Sequence, residues 1–389
     1  MNIKPDAHEH KNARSVAIDL NATAPCMMAP PAAGIATPIA GSELGSSARR
    51  AITRGERGGR HDCEGTHSGR DRRRGAGGPG CDGSRTAAFG PAQYGRRPVS
   101  ASVALATCAA IPDLLPEGRQ LAAALAERGA RAFPAVWDSR DVDWDGCDLV
   151  VIRTAEDWFR RPGRFLAWAN RIGPRLYNPP PVVAWNHDKR RYLQDLAAAG
   201  VPVVPTTYAP PGSDPQIPDG TIVVKPSVAA GSHGAAAHQD AGAAREHVRA
   251  LHQGGRTAMI QPWCERVETD GETSVVFVDG RVSHAVRKAP ILRLGEPPAD
   301  SRPEEVSRCR LPDDMAAVAR RAMGLAAGRF GTPLYGRADM LRDGSGRPVL
   351  LELELIEPLL FLDRAPGSAD RLADAVLRRA ALAPARGAR

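Results

Sequence analysis

The sequence predicts an α/β protein, with a parallel sheet and crossover helices beginning near residue 100 and antiparallel hairpins in the last third. Three observations carry this. Between Ser102 and Arg153, short apolar runs alternate with an alanine- and leucine-rich amphipathic stretch, the pattern of strands joined by helices. Asp279-Gly280 and Asp343-Gly344 each separate two β-like runs, and such pairs supply the backbone angles of a tight reversal. Residues 1–99 show no sustained periodicity, so the ordered part is expected to follow them.

Taken in order, Ser102–Cys108 reads as a strand, Glu117–Arg128 as a helix ended by Gly129, and Ala130–Trp137 and Cys147–Arg153 as further strands. Phe165–Arg171 is helical, and Tyr177-Asn178-Pro179-Pro180-Pro181 breaks the chain at a boundary. Lys189–Ala199 is a helix closed by Gly200. Thr221–Lys225 is a strand, Ala229–Ala237 a small-residue loop, Ala241–Leu251 a helix and Thr257–Pro262 a strand. Thr273–Asp279 and Arg281–Arg287 pair across the first Asp-Gly turn. Gly295–Val306 is a loop, and Pro312–Gly328 is a helix leading into the hairpin Leu334–Pro358. The expected divisions are a tail over 1–99, an α/β domain over 100–181, a central lobe over 182–256 and a C-terminal lobe over 257–380.

Charge and cysteine usage narrow the functional classes. The formal net charge is +8, but residues 1–100 hold 15 Lys+Arg against 9 Asp+Glu, and the remainder holds 37 against 35. The nearly neutral body weighs against a nucleic-acid binder. The Gly/Arg-rich tail, with Phe89 and Tyr94 as its aromatics, has too little apolar surface to offset the ordering of its backbone and is expected to be disordered. Seven scattered cysteines without a C-x-x-C pair suit a reduced, cytoplasmic setting rather than a disulfide framework or zinc site. No apolar run approaches the ~18 residues of a membrane helix.

The chemistry concentrates in the hairpin Leu334–Pro358. Arg337 and Asp339 are two apart on one strand, Glu352 and Glu354 two apart on the next, so each pair shares a face. Paired around the turn, Asp339, Glu352 and Glu354 converge, and three such carboxylates call for a cation of the Mg²⁺ kind, with Mn²⁺ as an alternative. L-E-L-E-L also describes an ordinary half-exposed strand. Lys225 ends an apolar strand and is followed by Ser227, Gly231, Ser232, His233 and Gly234, a loop whose N–H groups can cradle phosphate. Lys189, beside a helix start, is a second candidate cation. Gln261, Trp263 and Cys264 end a strand where an adenine edge can be read, with Glu265 or Glu268 as ribose partners. Glu272, Arg287 and Lys288 add a carboxylate and two cations on adjoining strands. Thr107, Arg153, Thr154 and Asp157 follow strand ends where a parallel sheet opens its crevice, and Arg153 and Asp157 are the substrate candidates.

The ordered set of motifs resembles the ATP-grasp superfamily of carboxylate–amine ligases, such as glutathione synthetase and D-alanine–D-alanine ligase. The resemblance rests on N-H-D-K-x-x-Y-L-x-x-L-x-x-x-G-V-P-x-x-P-T at 186–206, V-V-K-P-S at 223–227, Q-P-W at 261–263 and G-E-T-S-x-x-F at 271–277. It continues through S-H-A-V-R-K at 283–288, Y-G-R-A-D at 335–339 and E-L-E-L-I-E-P at 352–358. The last forms look most like those of O-ureido-D-serine cyclo-ligase-like bacterial proteins. The resemblance implies an N-terminal α/β domain and two α+β lobes clamping ATP. Lys189, Lys225 and the Ser227–Gly234 loop would meet the phosphates, and Gln261, Trp263 and Cys264 the adenine, with Glu268 at the ribose. Arg287 would meet the γ-phosphate or acyl group, Arg337 the transferring phosphoryl, and Asp339, Glu352 and Glu354 one or two Mg²⁺. Glu357 is expected to be structural. Where many members carry Asn, this chain has Glu354; where relatives carry R-S-x-W-D-Y, it has Arg153-Thr154-Ala155-Glu156-Asp157-Trp158. The implied activity is acyl-phosphate ligation of a small amino-acid-like substrate, intermolecular or cyclising, in a protein of a fold that often forms homodimers. A small-molecule phosphotransferase and a non-catalytic nucleotide binder are the alternatives.

Overall fold

The computed structural model describes residues 101–297 and 305–382. The tail over 1–99 and part of the loop over 295–306 lie outside the described residues. Three sheets are present among the described residues. The first is parallel, in the order β2-β1-β3-β4, built from β1 (Ser102–Thr107), β2 (Arg131–Val136), β3 (Leu149–Thr154) and β4 (Leu176–Tyr177). Helix α1 (Pro116–Glu127) crosses from β1 to β2, and α2 (Pro162–Ile172) lies between β3 and β4. β1 and β3 are buried at every residue, the signature of a sheet covered on both faces.

The proline run does not simply break the chain. Pro180 and Pro181 occupy the first turn of α3 (Pro180–Asn186), where a missing N–H costs nothing because no helical acceptor exists there. Helix α4 (Lys189–Ala198) follows, its N-terminus capped by the Asp188 carboxylate, which accepts from Arg190 N–H at 2.9 Å.

The second sheet comprises β5 (Thr207–Ala209), β6 (Ile222–Pro226), β7 (Ala236–His238) and β8 (Ala258–Pro262), in the order β5-β8-β6-β7, with α5 (Ala241–Gln253) packed against it. Strand β7 falls where the sequence reads as loop, because its small residues carry no alternation to reveal a pairing. A short helix, α6 (Val267–Asp270), leads to the third sheet. That sheet is antiparallel and ordered β11-β10-β9-β12-β13, from β9 (Glu272–Val278), β10 (Arg281–Lys288), β11 (Val306–Arg308), β12 (Tyr335–Arg342) and β13 (Pro348–Glu354). Helix α7 (Asp313–Phe330) packs on its β12–β13 side, and α8 (Ser368–Leu382) lies beside α1.

One apolar cluster joins the first sheet to the third: Val103, Leu105 and Leu121 share it with Val276, Leu334, Leu372 and Val376, all under 1% exposed. Truncating a leucine in such a place typically costs about 2–5 kcal/mol. Two buried asparagines stitch the hairpin to its surroundings. Asn178 donates to the Tyr335 and Leu355 carbonyls (2.9 and 2.7 Å) and accepts from Leu334 N–H (2.7 Å). Asn186 donates to Leu353 O (2.7 Å) and accepts from Leu355 N–H (2.8 Å). Each satisfies hairpin groups that the sheet leaves without strand partners. Among the described residues, no helix is long and apolar enough to cross a membrane.

Candidate active site

The register of the β12–β13 hairpin sets the centre of the site. Asp339 lies opposite Glu352 and Arg337 opposite Glu354, with a bulge between Asp339 and Met340. A bulge re-aims side chains locally. The Arg337 guanidinium bridges the group: Nε and Nη2 donate to the two Asp339 oxygens, both at 2.8 Å, and Nη2 also reaches Glu354 Oε1 at 2.5 Å. Ser274 Oγ donates to Asp339 at 2.6 Å from the neighbouring strand. Glu352 is held from the other side, by Lys225 at 2.7 Å and Lys189 at 3.7 Å. The sequence-expected meeting of Arg337, Asp339, Glu352, Glu354, Lys189 and Lys225 is therefore formed.

These groups line a cavity of about 230 Å³ walled by the second and third sheets, α3 and α4, Glu156 and Trp158 after β3, and the loop after β6. Six carboxyl groups face it, Glu156, Glu272, Asp339, Glu352, Glu354 and Glu357, against four cations, Lys189, Lys225, Lys288 and Arg337. The charge is unevenly distributed. Burial works against ionised Glu352 and Asp339, but Lys189 and Lys225 hold the first below its ordinary range, and Arg337 and Lys288 hold the second well below. Burial pushes Glu354 up to about 8, with Asp339 and Glu352 adding to the rise and Arg337 opposing it. Burial and the neighbouring Glu156 carry Glu357 well above the usual carboxylate range.

The loop after β6 folds over the cavity. Gly231, Ser232 and Gly234 have φ of 57°, 61° and 70°, a left-handed run that glycine accommodates and Ser232 tolerates at some cost. His233 stacks on Phe159 with ring centroids 4.9 Å apart, and Lys189 Nζ donates to Ala229 O at 2.5 Å. Ser232 and His233 reach the cavity wall. Ser227 and Gly234 act through backbone, Ser227 O accepting from Lys189 N–H (2.8 Å) and Gly234 O from His247 (3.1 Å).

Other expected residues are placed differently. Arg287 is exposed, because neighbouring residues of β10 point to opposite faces, and Lys288 takes the inward place, 4% exposed and paired with Glu272 and with Asp339 (3.4 Å). Gly271 permits this approach: it has φ of 66°, and a Cβ there would sit 2.6 Å from the Lys288 carbonyl. Glu272 and Lys288 are thus site residues that the sequence marks only by proximity in the chain. Glu268 is exposed on α6, with Val267 at the wall instead. Gln261 is buried and donates to Thr206 at 2.9 Å; Trp263 and Cys264 line the cavity, but Trp263 N–H is committed to Thr221 O at 2.9 Å. Arg153 and Asp157 do not line the cavity. Arg153 is fully buried in an ion pair with Glu117, and Asp157 accepts from Trp137 and Arg161, both at 2.7 Å. Thr107 and Thr154 are buried in the sheet, with Thr107 Oγ1 donating to Ile111 O at 2.5 Å. Glu357 does line the cavity, while its Oε1 accepts from Trp158 Nε1.

The donor set suits a metal held partly by its ligand. Among the described residues no three acidic, histidine or cysteine side chains form a ready cage. Each of the three carboxylates named for it is already met by a lysine or arginine. Mg²⁺ in nucleotide enzymes takes one or two carboxylates plus phosphate oxygens and seldom needs an all-protein cage. The surplus of carboxyl groups, with Glu354 raised, fits that mode of binding.

The chain is similar to known proteins. A family model described as the N-terminal domain of D-cycloserine synthetase DcsG matches residues 103–178. The cycloserine biosynthesis protein DcsG of Streptomyces lavendulae is 36% identical over 274 residues, 64% of this chain and 89% of the relative. The crystal structure of D-cycloserine synthetase DcsG aligns with a TM-score of 0.64 at 34% identity, covering 72% of this chain and 99% of that one. The D-alanine–D-alanine ligase of Bacillus anthracis complexed with ATP aligns with a TM-score of 0.53 at 12% identity, covering 73% and 98%, a likeness of fold alone. With the hairpin, lysines and loop assembled in one cavity, the chain belongs to the ATP-grasp ligases that form carbon–nitrogen bonds, within the DcsG family.

Proposed function

We propose that this ligase activates the carboxylate of a small amino-acid-like substrate as an acyl phosphate, using Mg²⁺ and ATP, and joins it to an amine of the same molecule. The observation that carries the reading is the convergence of Lys189, Lys225, Lys288 and Arg337 on the cavity that holds Asp339, Glu352 and Glu354. The relative named D-cycloserine synthetase supports ring closure as the form of the ligation.

A carboxylate is a poor electrophile because its charge repels nucleophiles and its oxygen leaves badly. Transfer of the γ-phosphoryl to a carboxylate oxygen releases ADP and converts that oxygen into a leaving group. The amine then forms the C–N bond, loses a proton, and phosphate departs. Lys189 and Lys225 bind and align the phosphates, and Arg337 offsets the charge on the transferring group. Asp339, Glu352 and Glu354 are the residues that would hold Mg²⁺, which when bound supplies charge neutralisation at the phosphate oxygens. The Ser227–Gly234 loop excludes water from the activated acyl group. In this reading Gln261, Trp263 and Cys264 border the base, Cys264 and Trp263 lining the cavity at the end of β8.

The test is ADP release with a panel of amino-acid-derived carboxylates that carry an internal amine, each labelled with ¹⁸O in the carboxylate. One ¹⁸O per turnover should appear in the released phosphate, with a cyclic amide as the organic product. Release of ADP with a stable phosphorylated product would replace the ligase with a phosphotransferase. Nucleotide binding without ADP release from any member of the panel would count against catalysis on this substrate class.

A further inference from the structure

The chain leaving β13, residues 355–361, is irregular backbone that is tied at every residue. Leu355 is held by Asn186 and Asn178, and the Ile356 carbonyl lies 2.8 Å from the Tyr335 hydroxyl. Trp158 donates to Glu357, Arg153 to Pro358 O (3.1 Å), Arg337 to Leu359 O (3.0 Å) and His284 to Leu360 O (2.9 Å). Leu360 N–H and Phe361 N–H both donate to Glu117 Oε2 at 2.8 Å, while Glu117 Oε1 pairs with Arg153. Phe361, at φ 49°, turns the chain left-handed beneath Arg337, whose guanidinium lies 5.5 Å from its ring centre.

Glu117 and Arg153 do not belong to the hairpin. Glu117 sits in the first turn of α1 and Arg153 near the end of β3, with side chains 10% and 0% exposed. A buried ion pair is rarely the most stable filling for such a space, and removing one partner leaves the other uncompensated. Here the pair orients backbone. Arg153 fixes the carbonyl before Leu359, and Glu117 fixes the amides of the two residues after it. The Leu359 carbonyl is in turn the contact of Arg337 Nη1, whose remaining nitrogens are taken by Asp339 and Glu354.

We propose that Glu117 and Arg153 are positioning residues for the ligase reaction, holding the 358–361 turn so that the Leu359 carbonyl sets Arg337 against the transferring phosphoryl. This rests on the role given to Arg337 above. It ties the N-terminal sheet to the phosphoryl site without either residue touching substrate.

The test uses the full chain with Mg²⁺, ADP and aluminium fluoride, a mimic of the transferring phosphoryl that needs no knowledge of the organic substrate. The reading is the gain in affinity that fluoroaluminate adds to Mg·ADP, measured by calorimetry. Glu117→Gln should bind Mg·ADP within about threefold of wild type and lose at least about tenfold of that gain. Arg337→Lys should lose the gain to a similar extent, and the double variant should lose little more than either, because both act through one guanidinium. Arg153→Lys, which keeps the charge but not the planar fork, should fall between wild type and Glu117→Gln. A Glu117→Gln protein that keeps the full gain overturns the positioning role, as does one in which ADP affinity falls in equal proportion. If Glu117→Gln does not fold, Arg153→Lys decides: a partial loss supports the role and a full gain overturns it. If wild type gains nothing from fluoroaluminate, or Arg337→Lys keeps the gain, the role of Arg337 itself fails and the positioning role falls with it.

Discussion

The two ends of the cavity differ in charge although they share a strand. At one end Glu352 meets Lys225 and Lys189, and its carboxyl is held below its ordinary range. Two residues on, Glu354 shares Arg337 with Asp339 and is pushed up to about 8, and beyond it burial and Glu156 hold Glu357 well above its ordinary range. In the proposed reaction the first end takes the polyanionic phosphates. The second has more carboxyl groups than cations, and burial there favours the protonated forms of Glu354 and Glu357. Residues of identical chemistry on one face therefore differ in charge, because the cations are supplied from other elements: β6 and α4 reach Glu352, while Glu354 pairs with Arg337 of β12.

Four measurements would sharpen or break that contrast, taken from the largest expected effect. Arg337 is the cation shared by Asp339 and Glu354 and the one assigned to the transferring phosphoryl, so Arg337→Ala should lower kcat by at least about 10³-fold, the range for an arginine in that place. A loss below about tenfold would remove it from the reaction. Glu352→Gln should lower turnover by about 10²–10³-fold with the circular dichroism spectrum unchanged. Unaltered turnover would show that the balanced end does not participate.

The third measurement concerns the two faces of β10. Lys288→Ala should cost about 10²-fold in kcat/KM, whereas Arg287→Ala, on the exposed face, should stay within about threefold. A reversed order would restore the sequence-expected role of Arg287.

The smallest effect is on stability. Glu354 has a folded pKa of about 8 against an ordinary 4.5, so between those values the folded protein binds more protons than the unfolded. Stability of the nucleotide-free enzyme should fall as pH rises through that window, and Glu272, raised to about 7, acts in the same direction. Asp339 and Glu352 are depressed and act oppositely, their contribution being lost as pH falls below the carboxylate range. Thermal midpoints from pH 5 to 9 should decline less steeply in Glu354→Gln than in wild type. Equal slopes would show that Glu354 is already ionised in the folded protein.

Much of this is legible in the sequence. Asp-Gly turns and a two-residue spacing of charges were enough to place Asp339, Glu352 and Glu354 on one face of a hairpin, because strand periodicity and turn chemistry are local. The alternating strands and helix after Ser102 were readable for the same reason. Strand β7 was not, since Ala236 and Ala237 have no pattern of their own and become a strand by pairing with β6. Arg153 was expected at the crevice because it ends a strand, yet its guanidinium turns to Glu117, 36 residues earlier in the chain. Lys288 and Arg287 are adjacent and both cationic. Which one faces the carboxylates depends on the register of β10 against β9, where a bulge between Val282 and His284 shifts the count. The sequence by itself determined which chemical groups were present and which short segments could present them together. The tertiary structure decided which cation met which carboxylate, because ion pairing depends on distance and burial between elements far apart in the chain.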